Sequence, residues 1–110
     1  MNNIMDKGIY IIQIQDRFIG FLNLDFAKKL QLNPSEMNFI KKIIPLQMVK
    51  GLDEWIIIKL DNIAEEFDIP KTTVSRLLQS LKNKNVLVQE DFRSVLWKMN
   101  AKMIFSEKMV

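Results

Sequence analysis

The segment LDNIAEEFDIPKTTVSRLLQSLKNKN, Leu60 to Asn85, constrains the fold more than any other part of this chain. Ile63, Ala64 and Phe67 fall on one face of a short helix, and Ala64 is small enough for a second helix to approach closely. Asp68 stands at the turn that follows, a place that often needs positive φ, which Asp tolerates better than most residues. Pro70 starts a second helix, in which Val74, Leu77, Leu78 and Leu81 recur at i, i+3, i+4 and i+7 and form one apolar stripe. At about 100° per residue, Thr72, Arg76, Gln79 and Asn83 then lie near the opposite side. Asn85 suits a left-handed helix end. Two short apolar strands, Val86 to Val88 and Val95 to Trp97, joined by about Asp91 to Ser94, complete a helix-turn-helix with a wing.

Upstream, residues 9–22, IYIIQIQDRFIGFL, are mostly β-branched and aromatic, with Gln15-Asp16-Arg17 as a break, which predicts one strand or a hairpin. Both of its faces are largely apolar, so it is either an extra strand within the monomer or a seam between two subunits. A short amphipathic piece over Asp25 to Leu30 follows. Asn33-Pro34-Ser35-Glu36 combines an N-cap, a proline at the first helical position and a capping-box glutamate, predicting a helix over 34–50 that stops at Gly51. Met37, Ile40, Ile43 and Ile44 face the core in this pattern, with Lys41 and Lys42 pointing away. Pro45 predicts a kink, or an end near Ile44 and a restart, because it lacks the N–H that a helix interior uses. Trp55 to Ile58 reads as a buried strand. The tail, 100–110, is open: Met103, Ile104, Phe105 and Met109 cap the core, pair with another subunit or stay partly disordered. The expected architecture is α+β: a single winged-helix domain over 1–110, made of a 9–22 strand or hairpin, a 34–50 helix, the 60–85 helix-turn-helix, an 86–99 wing and the tail.

The composition excludes much chemistry. With no cysteine and no histidine there is no disulfide, thiolate nucleophile, imidazole base or zinc site built from the usual ligands. No cofactor box, Gly-rich phosphate loop or carboxylate dyad is present, so no catalytic, cofactor or metal residue is expected and the chain does not read as an enzyme. No signal peptide is evident, and no apolar run approaches the roughly 20 residues that span a bilayer, so a cytoplasmic protein without membrane contact is expected. The net charge of +3 does not imply nucleic acid by itself, but its distribution points there. Residues 51–70 carry a net −5 and residues 71–102 a net +5.

Positive charge thus gathers from the second helix onward, and DNA becomes the leading partner. Arg76 can donate bidentately to guanine, Gln79 can pair with adenine, and Thr72, Thr73 and Ser75 can bind phosphates or bases near a helix N-terminus that also offers free N–H groups. Arg93 at the wing tip can enter a minor groove, and Lys98 on the return strand can neutralise a phosphate. Ordinary solvated surfaces carry the same residue types. Phe92 at the wing tip can wedge against DNA, pack on a partner or fold back onto the sheet, and the last is expected. Asp61, Glu65, Glu66 and Asp68 make the first helix acidic, which suits a helix start but not a surface pressed against phosphates.

From Phe18 to about Phe105 the order is an apolar strand, LNLDFAKKL, a capped NPSE helix, WIII, LDNIAEEFDIPKTTVSRLLQSLKNKNVLVQ and VLWKMNAKMIF. This succession resembles the winged-helix proteins of Gram-positive plasmids, notably RepL-type replication proteins. Its helix-turn-helix part is shared with MarR-like regulators and with plasmid partition or conjugation accessory proteins. The resemblance implies that Lys71, Thr72, Thr73, Ser75 and Arg76 take the recognition-helix role and Arg93 the wing role. The expected function is sequence-specific binding of double-stranded DNA by a homodimer, in plasmid or mobile-element replication, conjugative transfer or partition, with a replication protein, relaxase or partition protein as a further partner. The alternatives are a MarR-like transcriptional regulator and a winged-helix interaction module without DNA binding.

Overall fold

A computed structural model describes residues 9–14 and 17–106, with side chains from Leu22 to Ile104. In chain order the elements are β1 (Ile9–Ile14), β2 (Arg17–Asn23), α1 (Leu24–Lys29), α2 (Pro34–Lys50), β3 (Ile56–Ile57), α3 (Leu60–Phe67), α4 (Lys71–Asn83), β4 (Leu87–Gln89), β5 (Leu96–Met99), a 3₁₀ turn (Ala101–Met103) and β6 (Ile104–Ser106). The fold is α+β, a winged helix-turn-helix with an added N-terminal hairpin, as the residue pattern predicts.

Among the described residues two antiparallel three-stranded sheets form, in the orders β1-β2-β6 and β3-β5-β4. The N-terminal segment is therefore a hairpin, and the chain returns to it: Leu22 pairs with Ile104 and Phe21 with Phe105. Met103 and Ile104 are buried, so this part of the tail caps the molecule's own core. Met109 lies outside the described residues. A bulge between Ile12 and Gln13 shifts the β1–β2 register.

Local capping sets the helix ends. Asn23 Oδ1 accepts from the Phe26 N–H at 3.0 Å and starts α1. Asn33 Oδ1 accepts from the Glu36 N–H at 2.8 Å while Glu36 Oε1 accepts from the Asn33 N–H at 2.9 Å, completing the capping box of α2. Asp68 (φ 57°) and Asn85 (φ 64°) both occupy the left-handed region, as their turn positions require. Pro70 departs slightly from expectation: it is the N-cap residue, and the first helical residue of α4 is Lys71.

An end of α2 near Ile44 and a buried strand at 55–58 both need correction. Helix α2 is continuous from Pro34 to Lys50 with Pro45 inside it, so it does not end and restart there. Ile43, Ile44 and Gln47, all buried around the proline, hold the backbone helical by packing on both sides of the missing N–H. The run Trp55 to Ile58 is not wholly buried: the strand is only Ile56–Ile57, and Ile57 is 61% exposed between buried Ile56 and Ile58. A two-residue strand keeps the alternation of the pleat, so one of its side chains must face out.

The core gathers Ile40, Ile43 and Ile44 of α2 with Val74, Leu77, Leu78 and Leu81 of α4 and Leu87, Trp97 and Met99 of the wing. Helix α2 packs on α4, β1, β3 and β5, which makes it the central support of the domain. Lys42 is exposed, as expected, and its ammonium stands 5.3 Å from the centroid of the Phe67 ring. Phe67 in turn meets Phe39 edge-on at 5.7 Å.

Candidate nucleic-acid interface

The apolar stripe of α4 is buried as its spacing dictates, and this fixes what the helix shows to solvent. Lys71, Thr72, Ser75, Arg76 and Gln79 are exposed, whereas Thr73 is half-buried. Pro70 contributes no side-chain cap, so among the described residues the first turn of α4 has no capping side chain. Arg76 lies on a shallow surface with Thr72, Ser75 and Gln79. Gln79 Nε2 donates to Asn83 Oδ1 at 3.2 Å along the helix.

A cleft of about 300 Å³ separates α4 from the wing. Ser75 and Gln79 enter it from the helix, and Phe92, Arg93 and Val95 from the wing. The structure thus brings Ser75, Gln79 and Arg93 to one cleft, with Arg76 on the adjoining helix face. Lys98 is not part of this group. It is paired with Val88 across the ladder, between the buried Trp97 and Met99, so pleat alternation sends it to the outer face of the sheet. There its ammonium sits 4.5 Å from the centroid of the Trp55 ring. Phe92 also differs from expectation: it is 74% exposed and does not fold back onto the sheet. The Arg93 guanidinium lies 5.3 Å from its ring centroid.

Lys71 is engaged rather than free. Its Nζ is 2.7 Å from Asp61 Oδ1 on α3, and this hydrogen bond and charge hold the ammonium above its ordinary pKa. The acidity of α3 is therefore partly spent across the helix-turn-helix; Glu65, Glu66 and Asp68 remain exposed.

Two buried polar residues position α4 and the wing, a role that local spacing does not show. Glu36 is 1% exposed. Besides its capping role it accepts from Lys84 Nζ at 2.7 Å and from Ser80 Oγ, tying the start of α2 to the end of α4. Burial pushes this carboxyl up, but the bonds from Lys84, Ser80 and the Asn33 N–H outweigh burial and hold it below the usual carboxylate value. Gln47 is wholly buried, with Nε2 donating to the carbonyls of Gly51 at 2.6 Å and Glu54 at 2.8 Å, and Oε1 accepting from the Met99 N–H at 2.9 Å. One amide thereby joins α2, the loop before β3 and strand β5. The only local signal for it was a polar residue in step with the apolar face of α2.

Fold and surface together define a winged helix-turn-helix protein. Residues 58–91 match the family model of the IclR helix-turn-helix domain, a span of about a third of the chain that runs from the residue after β3 to the wing tip. The match supports a DNA-binding protein with double-stranded DNA as its partner. No curated protein and no solved structure matches the chain. The likeness to RepL-type replication proteins is thus not shown by these comparisons. Among the described residues no helix is long and apolar enough to cross a membrane.

Proposed function

We propose that this chain is a homodimeric, sequence-specific binder of double-stranded DNA that regulates transcription. The observation that carries the reading is the division of α4: Val74, Leu77, Leu78 and Leu81 are buried, while Thr72, Ser75, Arg76 and Gln79 stand on the open side, with Ser75 and Gln79 facing the wing across the cleft. An arginine and a glutamine at such positions can read guanine and adenine in the major groove, and the uncapped first turn can take a phosphate. In this reading Lys71, Thr73 and Arg93 add backbone and minor-groove contacts. The similarity to an IclR helix-turn-helix domain favours regulation at promoters.

A single recognition helix reads few base pairs, and a two-fold dimer doubles the contacts on a repeated site. Strand β1 supports the dimer, because among the described residues it pairs only with β2 and leaves its other edge open. The second reading is plasmid or mobile-element replication, transfer or partition, favoured by the order of sequence segments. Selection of bound sequences from random duplexes, followed by footprinting and a solution mass measurement, tests all of this. Promoter sites and a dimer mass are expected; sites confined to a replication or transfer origin favour the second reading. Absence of salt-dependent binding to any duplex overturns DNA recognition and leaves a protein-interaction module.

A further inference from the structure

The wing tip is a braced turn that presents an aromatic ring to solvent. The Asp91 carbonyl accepts from the Ser94 N–H at 2.9 Å, and Asp91 Oδ1 accepts from the Phe92 N–H at 2.7 Å, which closes the turn and engages one oxygen of that carboxylate. Ser94 Oγ accepts from the Leu96 N–H at 3.0 Å. Gln89 Nε2 donates to the Ser94 carbonyl at 2.7 Å, and Gln89 Oε1 accepts from Lys82 Nζ at 2.9 Å. Through that one side chain the tip is tied to the last turn of α4, so the orientation of the wing follows that of the helix.

At this tip Phe92 stands 74% exposed with the Arg93 guanidinium beside its ring. Both residues line the cleft shared with Ser75 and Gln79, so the tip and the polar face of α4 address one stretch of the same ligand. A large apolar ring held out in water next to a cation matches a ligand that is polyanionic outside and stacked and apolar inside. Duplex DNA is such a ligand. Glu90 at the end of β4 and Asp91 at the tip are both exposed and negative, and Arg93 is the cation beside the ring.

We infer that Phe92 is a wedge that enters a base step. With α4 in the major groove, the tip reaches the adjacent minor groove, Arg93 meets its negative potential, and the Phe92 ring inserts between two base pairs and kinks the duplex. The ligand is a pyrimidine–purine step, TA or CA/TG, at the place where the wing lands, because such steps unstack most easily. The inference rests on the DNA-binding reading above and goes further by assigning DNA deformation to one residue.

The test uses the full chain and a duplex selected by it from random DNA, labelled at both ends for energy transfer and carrying 2-aminopurine at the step under the wing. The wild type is expected to bend this duplex by about 20° to 90° and to raise 2-aminopurine fluorescence on binding. Phe92→Ala is expected to lose most of the bend and the fluorescence rise, with an unchanged thermal midpoint because the ring is exposed. Phe92→Leu is expected to keep most of both, since leucine also serves as a wedge. A wild type that binds without bending, or a Phe92→Ala protein that bends and unstacks as the wild type does, overturns the wedge and leaves DNA binding standing. A wild type that binds no duplex overturns both.

Discussion

Lys71 Nζ stands 2.7 Å from Asp61 Oδ1, so the first charge of α4 is held by the first turn of α3 across the helix-turn-helix. Both side chains are exposed, and the pair adds little to stability. Its consequence is for binding: a phosphate that approaches the start of α4 competes with Asp61 for the same ammonium. Asp61→Asn is expected to raise duplex affinity a few-fold and to steepen the dependence of log K on log salt by about one counterion. Salt titrations of the two proteins on one duplex check this, and identical slopes would show that Lys71 meets no phosphate.

Arg76 and Lys98 are expected to separate. Arg76→Ala should cost about 1 to 3 kcal/mol on the preferred duplex and relax one base position, because a bidentate donor to guanine is lost. Lys98→Ala should leave both affinity and salt slope unchanged, since the structure seats that ammonium over Trp55 on the outer sheet face. Its effect should be a loss of at most about 1 kcal/mol in unfolding free energy. A reduced salt slope in Lys98→Ala would mean that the outer face also meets DNA.

Removing Glu36 exposes the anchor of α4. Glu36→Ala leaves the half-buried Lys84 ammonium with the Gln31 carbonyl but no carboxylate partner and is expected to cost about 3 kcal/mol, measured by denaturant unfolding. The pH dependence follows in sign. The folded carboxyl is held below its ordinary value, so its contribution is complete above the unfolded value of about 4.3 and fades as pH falls through the lower folded value. The stability gap between wild type and Glu36→Gln should therefore be constant near neutrality and close below about pH 4. A gap that persists at pH 2 would assign the effect to packing instead.

Gln47→Leu conserves rough size but strands the Glu54 carbonyl and the buried Met99 N–H, while the Gly51 carbonyl keeps the Glu54 N–H at 3.2 Å. A cost of about 2 to 4 kcal/mol is expected, from one or two desolvated groups left unpaired. Amide exchange locates it: the Met99 amide should lose protection more than that of Leu81, which donates within α4. Uniform loss across the domain would show that Gln47 supports the whole fold and not this junction.

Residue pattern alone determined the parts of this protein that depend on neighbours within one turn. The stripe of α4, the capping box of Asn33 and Glu36, and the left-handed positions at Asp68 and Asn85 are all relations between residues a few places apart, where periodicity and backbone sterics decide the outcome. The exposed polar face of α4 was legible for the same reason, as the complement of a stripe that had to be buried. Tertiary structure decided the rest. Ser80 and Lys84 reach Glu36 from 44 and 48 residues away, Met99 reaches Gln47 from 52, and β6 returns to β2 across most of the chain. No local spacing encodes such meetings, because they follow from how α2 packs between the two sheets. The same packing carried α2 through Pro45 and turned Ile57 and Lys98 outward. Phe92 was settled by the braced turn of the wing, whose bonds to Gln89 and Lys82 hold the ring away from the core that a free apolar side chain would seek.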